Sequence, residues 1–369
     1  MDEKGLINKL ALALVPGVGN NLAQNLISHI GNIDDIFREK PANLQKIPGI
    51  GPGTARNFRD SRIFKRAEEE IIFMKKNSID YSFFRDHDYP ARLKHCMDAP
   101  IILFYKGKLD PFPSKVVSII GTRNPTTRGR HLTREWVKQI AEKDKSVVVI
   151  SGLAYGIDIQ AHEASLEFGL RTYAGLGHGF HTIYPAIHRS TAARITKEGA
   201  LMTDFFSHSI LEPKNFIRRN RLIAGMSDVT IVIESKNKGG AMVTADMANS
   251  YNREVFAVPG RPSDPMSAGC NKLIKTNRAS MVESAEDIFF LLGWDEKKND
   301  IDSGQAEPFT ELNEREKTVF SHLGSKTMTI DQLYLHTKIN IPELSSILLS
   351  LEFKGLVSAK PGNAYIRNI

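Results

Sequence analysis

Between residues 116 and 258 the chain alternates short apolar runs with longer stretches in which apolar residues return every three or four positions. The runs fall at 116–120, 147–150, 172–176, 229–233 and 255–258. Such runs suit strands covered on both faces, and the helical stretches between them supply the crossovers that parallel neighbours require. The expectation is an α/β domain built on a doubly wound, mostly parallel sheet. The first hundred or so residues read as helical, broken by two short Pro-Gly turns and joined to the sheet by a loop carrying Pro111 and Pro113. After the last strand, residues 295–308 (DEKKNDIDSGQAEP) have no apolar period and read as a linker. Three helical stretches follow, at about 311–323, 330–336 and 342–354, then a hairpin through Pro361-Gly362-Asn363. The domains expected are therefore 1–80, 81–294 and 309–369, with 295–308 as the connection.

Composition narrows the class. Hydrophobic residues at 41% and charged residues at 25% fit a globular protein, and no apolar run is long enough to cross a bilayer. Asp2 and Glu3 precede the apolar stretch 10–15, which speaks against a secretion signal, so a cytoplasmic protein is expected. Cys96 and Cys270 stand far apart without His or Cys at ligand spacing, so neither a disulfide framework nor a metal site is expected. A net charge of +7 and a pI near 9.2 favour a polyanionic partner only weakly.

The chemistry gathers at strand ends. Run 116–120 leads into Gly121-Thr122-Arg123, and the next into Ser151-Gly152-Leu153-Ala154-Tyr155-Gly156. In a doubly wound sheet these ends form the ligand crevice, where free N–H groups and helix starts favour an anion. Arg123 would add a guanidinium fork. Neither the spaced three-glycine dinucleotide fingerprint nor a Gly-Lys-Ser/Thr triphosphate loop occurs, and no cofactor is expected. Further on, Lys236 to Thr244 (KNKGGAMVT) places Gly239 and Gly240 ahead of a helix and brings Thr244 near; Gly269 to Ile274 supplies Asn271 and Lys272. Four loops at one sheet edge would make a groove.

The segment 214–225, KNFIRRNRLIAG, interleaves Lys214, Arg218, Arg219 and Arg221 with Phe216 and Asn220. Cations that track a backbone beside a ring that stacks on a base are what a single nucleic-acid strand requires. The bland reading is a solvated charged face with Phe216 in the core.

The two Pro-Gly turns, LVPGVG at 14–19 and IPGIGPG at 47–53, resemble helix-hairpin-helix units. Their glycines permit a tight turn and free N–H groups for a phosphate. The second adds Thr54 and Arg56; the first offers only Asn20, Asn21 and Gln24, so protein packing is the expected use of the first.

In order, IIGTR (119–123), SGLAYGIDIQAH (151–162), Tyr184-Pro185, RNRLIAG (219–225), GGAMVTADMA (239–248), EVFAVPG (254–260) and GCNKLI (269–274) resemble the DprA, or Smf, family of DNA-processing proteins, over about 81–294. The resemblance implies a Rossmann-like domain that binds single-stranded DNA, a homodimer, and help in loading the recombinase RecA during natural transformation, with no covalent chemistry. It places Arg123, Lys214, Phe216, Arg219 and Arg221 along the DNA groove, and the strand-end loops and the same helix add Gly121, Ser151, Gly152, Gly156, Asn220, Gly239, Gly240, Thr244, Asn271 and Lys272 as further expected contacts. The chain departs from the family at Ile217, where Pro is usual, and at Gly239-Gly240-Ala241-Met242, where Ser-Gly-Ser-Leu is usual.

Residues 309–369 resemble a winged helix. Leu344, Ile347, Leu348 and Leu351 have core spacing, which leaves Glu343, Ser346, Ser350 and Glu352 for the outer face. With seven basic against six acidic side chains, the domain is poorly equipped for duplex DNA, and contact with protein is the expected role. The rival from another class is a nucleotide hydrolase using Asp158 and Glu234 as acid and base. For Asp158 the expectation is instead a loop or helix cap, and His178, His181 and His188 read as loop histidines.

Overall fold

The computed structural model describes residues 3–294, 312–323, 328–354, 356–360 and 364–367. The chain forms two units, Met1–Trp294 and Asp295–Ile369. The linker expected at 295–308 and the turn at Pro361-Gly362-Asn363 lie outside the described residues.

The first unit is organised by a nine-stranded sheet: β1 (Asp80–Phe83), β2 (Ile102–Gly107), β3 (Val116–Ile120), β4 (Val148–Ser151), β5 (Arg171–Gly175), β6 (Ala200–Thr203), β7 (Val229–Val232), β8 (Glu254–Ala257) and β9 (Ser280–Met281). Their order is β1-β2-β6-β5-β4-β3-β7-β8-β9, parallel from β6 to β9, with β1 and β2 antiparallel at one edge. All five expected strands are present within a residue or so. The sequence reading missed β1, β2, β6 and β9. Those at 80–83 and 102–107 fall in and just beyond the stretch expected to be helical; short apolar runs beside helical ones carry no period of their own.

Alternation along each strand divides the core. Val117, Ile119, Val149 and Ile231 meet Trp136, Val137 and Ile140 of the Thr127–Lys143 helix and Ile157 and Ala161 of the Ile157–Phe168 helix. Val116, Ile120, Val148 and Val232 face the other way, toward Leu222 and Ile223 of the Pro213–Gly225 helix and Ala245 of the Gly240–Ser250 helix. Because both faces are covered, the strands read as continuous apolar runs. The order reverses at β3: successive strands run outward from β3 to β6, and the chain then returns through the Pro213–Gly225 helix to place β7 on β3's other side. That reversal opens a crevice at the carboxyl ends of β3 and β7.

The N-terminal helices, among them Glu3–Leu14, Asn20–Ile30, Pro52–Asn57 and Ser61–Asn77, share a core with the β1–β2 side of the sheet. Both Pro-Gly turns hold a glycine at positive φ, Gly17 at 86° and Gly49 at 90°, where a side chain would be strained. The turns pack on each other: a Cβ on Gly17 would lie 3.3 Å from Thr54 Oγ1, and Asn57 donates to the Pro16 carbonyl at 3.2 Å. Glu70, buried, accepts the Ser207 N–H at 2.9 Å and its hydroxyl at 2.7 Å, which ties the Ser61–Asn77 helix to the loop after β6.

The second unit packs helices Glu314–His322, Ile330–Thr337 and Ile341–Phe353 on a small antiparallel sheet of β10 (Met328–Thr329), β11 (Val357–Lys360) and β12 (Ala364–Arg367). Leu344, Ile347, Leu348 and Leu351 fill its core as their spacing predicts. Ser350, expected on the outer face, instead donates to the buried Glu316 at 2.7 Å. Helix periodicity put it at the edge of the apolar stripe, and the Glu314–His322 helix covers that edge.

Candidate functional site

The crevice encloses about 620 Å³. Four segments line it: Gly121 to Asn124 after β3, Ala154 and Asp158 after β4, residues between Ser235 and Thr244 after β7, and one face of the Pro213–Gly225 helix. That face presents Phe216, Arg219, Asn220 and Ile223, the i, i+3, i+4, i+7 set.

Buried carboxylates stand behind the loops after β3 and β4. Glu234, 2% exposed, accepts the Thr126 N–H at 2.9 Å and its hydroxyl at 2.5 Å, while its own carbonyl accepts the Thr122 N–H at 2.8 Å. The β3 loop is thereby strapped to β7, leaving Arg123 exposed and, among the described residues, without an ion-pair partner. Asp158, 8% exposed, accepts the N–H groups of Gly152 and Ala154. Burial pushes its carboxyl up, against the pull of the Arg219 charge. Arg219 itself is 3% exposed, donates Nη1 to the Gly175 carbonyl at 3.1 Å, and is brought down to about 10 by burial, with Asp158 opposing that shift.

These facts correct several expected contacts. Ser151 is buried and its hydroxyl donates to the Ile119 carbonyl at 2.7 Å, so it has nothing to offer a ligand. Gly152 has its N–H engaged by Asp158, and Gly156, at φ 84°, allows its loop to lie on the Thr122 carbonyl, 2.2 Å from where a Cβ would stand. Both shape the loop from behind the crevice. Arg221 points away: two positions after Arg219 on a helix, it faces the opposite side, where it pairs with buried Asp204. Asn271 is spent on Gly260, accepting its N–H at 3.1 Å and donating to its carbonyl at 2.9 Å. Lys272 is exposed but does not line the crevice, so the loop after β8 contributes no wall. Lys214 lies outside the lining and pairs with Glu212 at 2.6 Å.

Gly121, Arg123, Phe216, Asn220, Gly239, Gly240 and Thr244 do line the crevice, with Arg219 at its floor. Asn220 reaches the Gly240 carbonyl at 3.4 Å, and the Thr244 hydroxyl donates to the same carbonyl at 3.1 Å. The sequence reading passed over Lys236 and Lys238, both exposed on the lining, although they belong to the quoted glycine loop. It also missed Tyr184, 45% exposed, whose ring lies 5.5 Å from Phe216. No local pattern links those two; the sheet brings them together.

His162, His178 and His188 hold the protein's own backbone and side chains, while His181 is exposed. His162, fully buried, is held down to about 3 by burial, accepts the Leu153 N–H at 3.3 Å on Nε2 and pairs through Nδ1 with Thr172. His178 accepts the Tyr184 N–H at 3.1 Å, and His188 contacts the Leu153 carbonyl at 2.8 Å. Among the described residues no group of His, Cys, Asp and Glu could hold a metal, and no helix is long and apolar enough to cross a membrane.

A doubly wound sheet whose switch-point crevice is lined by exposed cations and Phe216 defines a Rossmann-like protein. Residues 80–293 match the model of the DNA recombination-mediator protein A family, residues 9–59 a SAM-like helix-hairpin-helix tandem, and residues 304–363 the DprA winged helix domain. The chain belongs to the DNA recombination-mediator protein A (DprA/Smf) family. It is 30% identical over 404 residues to Protein Smf of Synechocystis sp., covering 97% of this chain and 98% of that one. With DNA processing protein DprA of Bacillus subtilis it shares 39% identity over 202 residues, 54% of this chain and 67% of the relative. The solved structure of DprA from Streptococcus pneumoniae superimposes with a TM-score of 0.66 at 28% identity, covering 76% of this chain and 95% of that one. DNA processing protein A from Helicobacter pylori, solved to describe its single-stranded DNA binding mode, gives 0.52 at 27% identity, covering 58% and 97%.

Proposed function

We propose that this chain binds single-stranded DNA in the switch-point crevice, without covalent chemistry, and acts as a recombination mediator. The observation that carries the reading is the pairing of free cations with a ring: Arg123, Lys236 and Lys238 line the same cavity as Phe216. Cations track phosphates while the ring stacks on a base, a combination that duplex DNA, with its bases already stacked, cannot use. Binding is therefore expected to be nearly independent of sequence. The H. pylori relative's single-stranded DNA mode supports the same ligand here.

The hydrolase alternative loses its catalysts, since Asp158 and Glu234 are both committed to holding loops. Family membership supports the finer reading that the chain pairs as a homodimer and helps load RecA onto incoming DNA during transformation. The division of labour follows the domains: 1–80 as the helix-hairpin-helix module, 81–294 as the DNA-binding Rossmann-like domain, 309–369 as a winged helix that contacts protein.

Fluorescence anisotropy with labelled single-stranded and duplex oligonucleotides tests the core of this. The single strand should bind more tightly, and Arg123→Ala/Lys236→Ala/Lys238→Ala should abolish the preference. Equal, weak binding of both forms, unchanged in the variant, would refute it.

A further inference from the structure

A second cavity, about 310 Å³, adjoins the crevice. Its walls are the loop after β3, the Tyr155-Gly156 turn after β4, and Arg130 at the start of the Thr127–Lys143 helix. Arg123 and Asn124 line both cavities, so the two meet at the β3 loop. Backbone packing fixes this juxtaposition. Gly156 sits so close that a Cβ on it would stand 2.2 Å from the Thr122 carbonyl oxygen and 2.7 Å from that of Arg123, and the Ile157 N–H donates to the Thr122 carbonyl at 3.2 Å. Tyr155, one residue earlier, is thereby held beside Arg123. Its ring meets that of buried His188 at 5.2 Å and 66°, while 47% of the residue stays exposed. Arg130 is exposed and donates Nη2 to the Pro125 carbonyl at 2.9 Å, a bond that pins the guanidinium and occupies one of its five donors. Among the described residues that line this cavity are two arginines and no carboxylate, so its field favours an anion.

We propose that this cavity is a second subsite for the single strand: it takes a nucleotide next to those held in the crevice, with the base against Tyr155 and the backbone phosphate on Arg130. The proposal rests on the crevice reading and extends it. A pinned cation beside an exposed ring repeats the pairing that Lys236, Lys238 and Phe216 make in the crevice, and that pairing suits a strand whose bases are unstacked. Arg123, common to both cavities, stands where the backbone would cross from one to the other. A volume near the lower end of small-molecule pockets, about 300 Å³, suits one nucleotide and not a duplex. Recognition by stacking and charge prefers no particular base.

Anisotropy on the full chain with labelled oligo(dT) strands of about 4 to about 16 nucleotides, the range that strand-binding grooves cover, tests this. Both side chains are exposed, so Tyr155→Ala and Arg130→Ala should fold normally, as thermal melts will check. Each variant should match wild type on the shortest strands and fall behind it as the strand lengthens. For Tyr155→Ala the deficit should reach at least about fivefold on the longest, as the loss of one stacked base requires. Tyr155→Phe, which keeps the ring, should follow wild type throughout. On the longest strand Arg130→Ala should make the slope of log affinity against log salt shallower by about 0.7, and Tyr155→Ala should leave it unchanged. Agreement of both variants with wild type at every length overturns the proposal. So does an equal loss at every length, which would make the two residues props of the crevice. Failure of the crevice reading shows separately, as binding of the shortest strands unaffected by Lys236→Ala/Lys238→Ala, since those lysines line the crevice and not this cavity.

Discussion

Arg219 and Gly152 are fitted to one another: a Cβ on Gly152 would stand 1.7 Å from the Arg219 Nη1 atom. The guanidinium lies beneath the glycine loop rather than in the groove, and it balances Asp158, which holds that loop by its N–H groups. Arg219 is therefore a positioning residue for the crevice floor.

That assignment makes a stability prediction. Arg219→Ala takes away the charge that acts on the buried Asp158 carboxyl and should destabilise the protein. Arg219→Ala/Asp158→Ala removes both charges and should be less destabilised than the sum of the two single variants. Urea unfolding of the four proteins measures the coupling. Strict additivity would mean that the two groups do not interact, and the loop would need another support.

The exposed cations make a different prediction, about salt. Each phosphate neutralised on a single strand contributes about −0.7 to the slope of log affinity against log salt. Removing Arg123, Lys236 and Lys238 together should make that slope shallower by roughly 2. Titrations with oligo(dT) at several salt concentrations give the number; an unchanged slope would place the phosphates elsewhere.

How much of this was legible in the chain depends on the range of the interaction. The parallel sheet was, because β3, β4, β5, β7 and β8 are buried on both faces and so appear as unbroken apolar runs. So was the place of Gly121-Thr122-Arg123 on the crevice wall, since this loop directly follows a strand. The side from which each residue of the Pro213–Gly225 helix faces a ligand was not. Charge and aromatic content made Arg219 and Arg221 look equivalent, whereas two residues of helix turn them about 200° apart, one to Asp158 and the other to Asp204. Asn271 was misassigned for a related reason: its amide fits a groove or a backbone staple equally well, and only the fold shows that Gly260 takes it. Tyr184 was invisible because its partner, Phe216, is distant in sequence and reached only through the sheet.

Stacking offers the third prediction. Phe216 is packed against Gly177, where a Cβ would lie 2.8 Å from its ring, and against Tyr184, so one ring edge is held while the crevice side stays open. Phe216→Ala should weaken oligo(dT) binding by about 1–3 kcal/mol with little change in salt slope, since no charge is lost. Phe216→Trp, which keeps a π-face, should retain most of the affinity. If Ala and Trp variants bind alike, the ring is core and not a stacking platform.

The second unit carries a pH prediction through Glu316. Hydrogen bonds from Lys354 at 2.7 Å and Ser350 at 2.7 Å, with the Asn313 N–H at 2.9 Å, hold its carboxyl down to about 2, from an ordinary 4.5. A carboxyl held low in the folded state binds fewer protons folded than unfolded, so its stabilisation is fully present above 4.5 and drains away as pH falls toward about 2. Glu316 anchors the Glu314–His322 helix to the Ile341–Phe353 helix, so that interface should open first in acid. Hydrogen exchange on the full chain, corrected for intrinsic rates, should show the buried Val319 and Leu348 amides losing protection across this window in wild type. In Glu316→Gln the protection should be lower near neutrality but flat across the same window. Equal acid sensitivity in both proteins would assign the transition to another group.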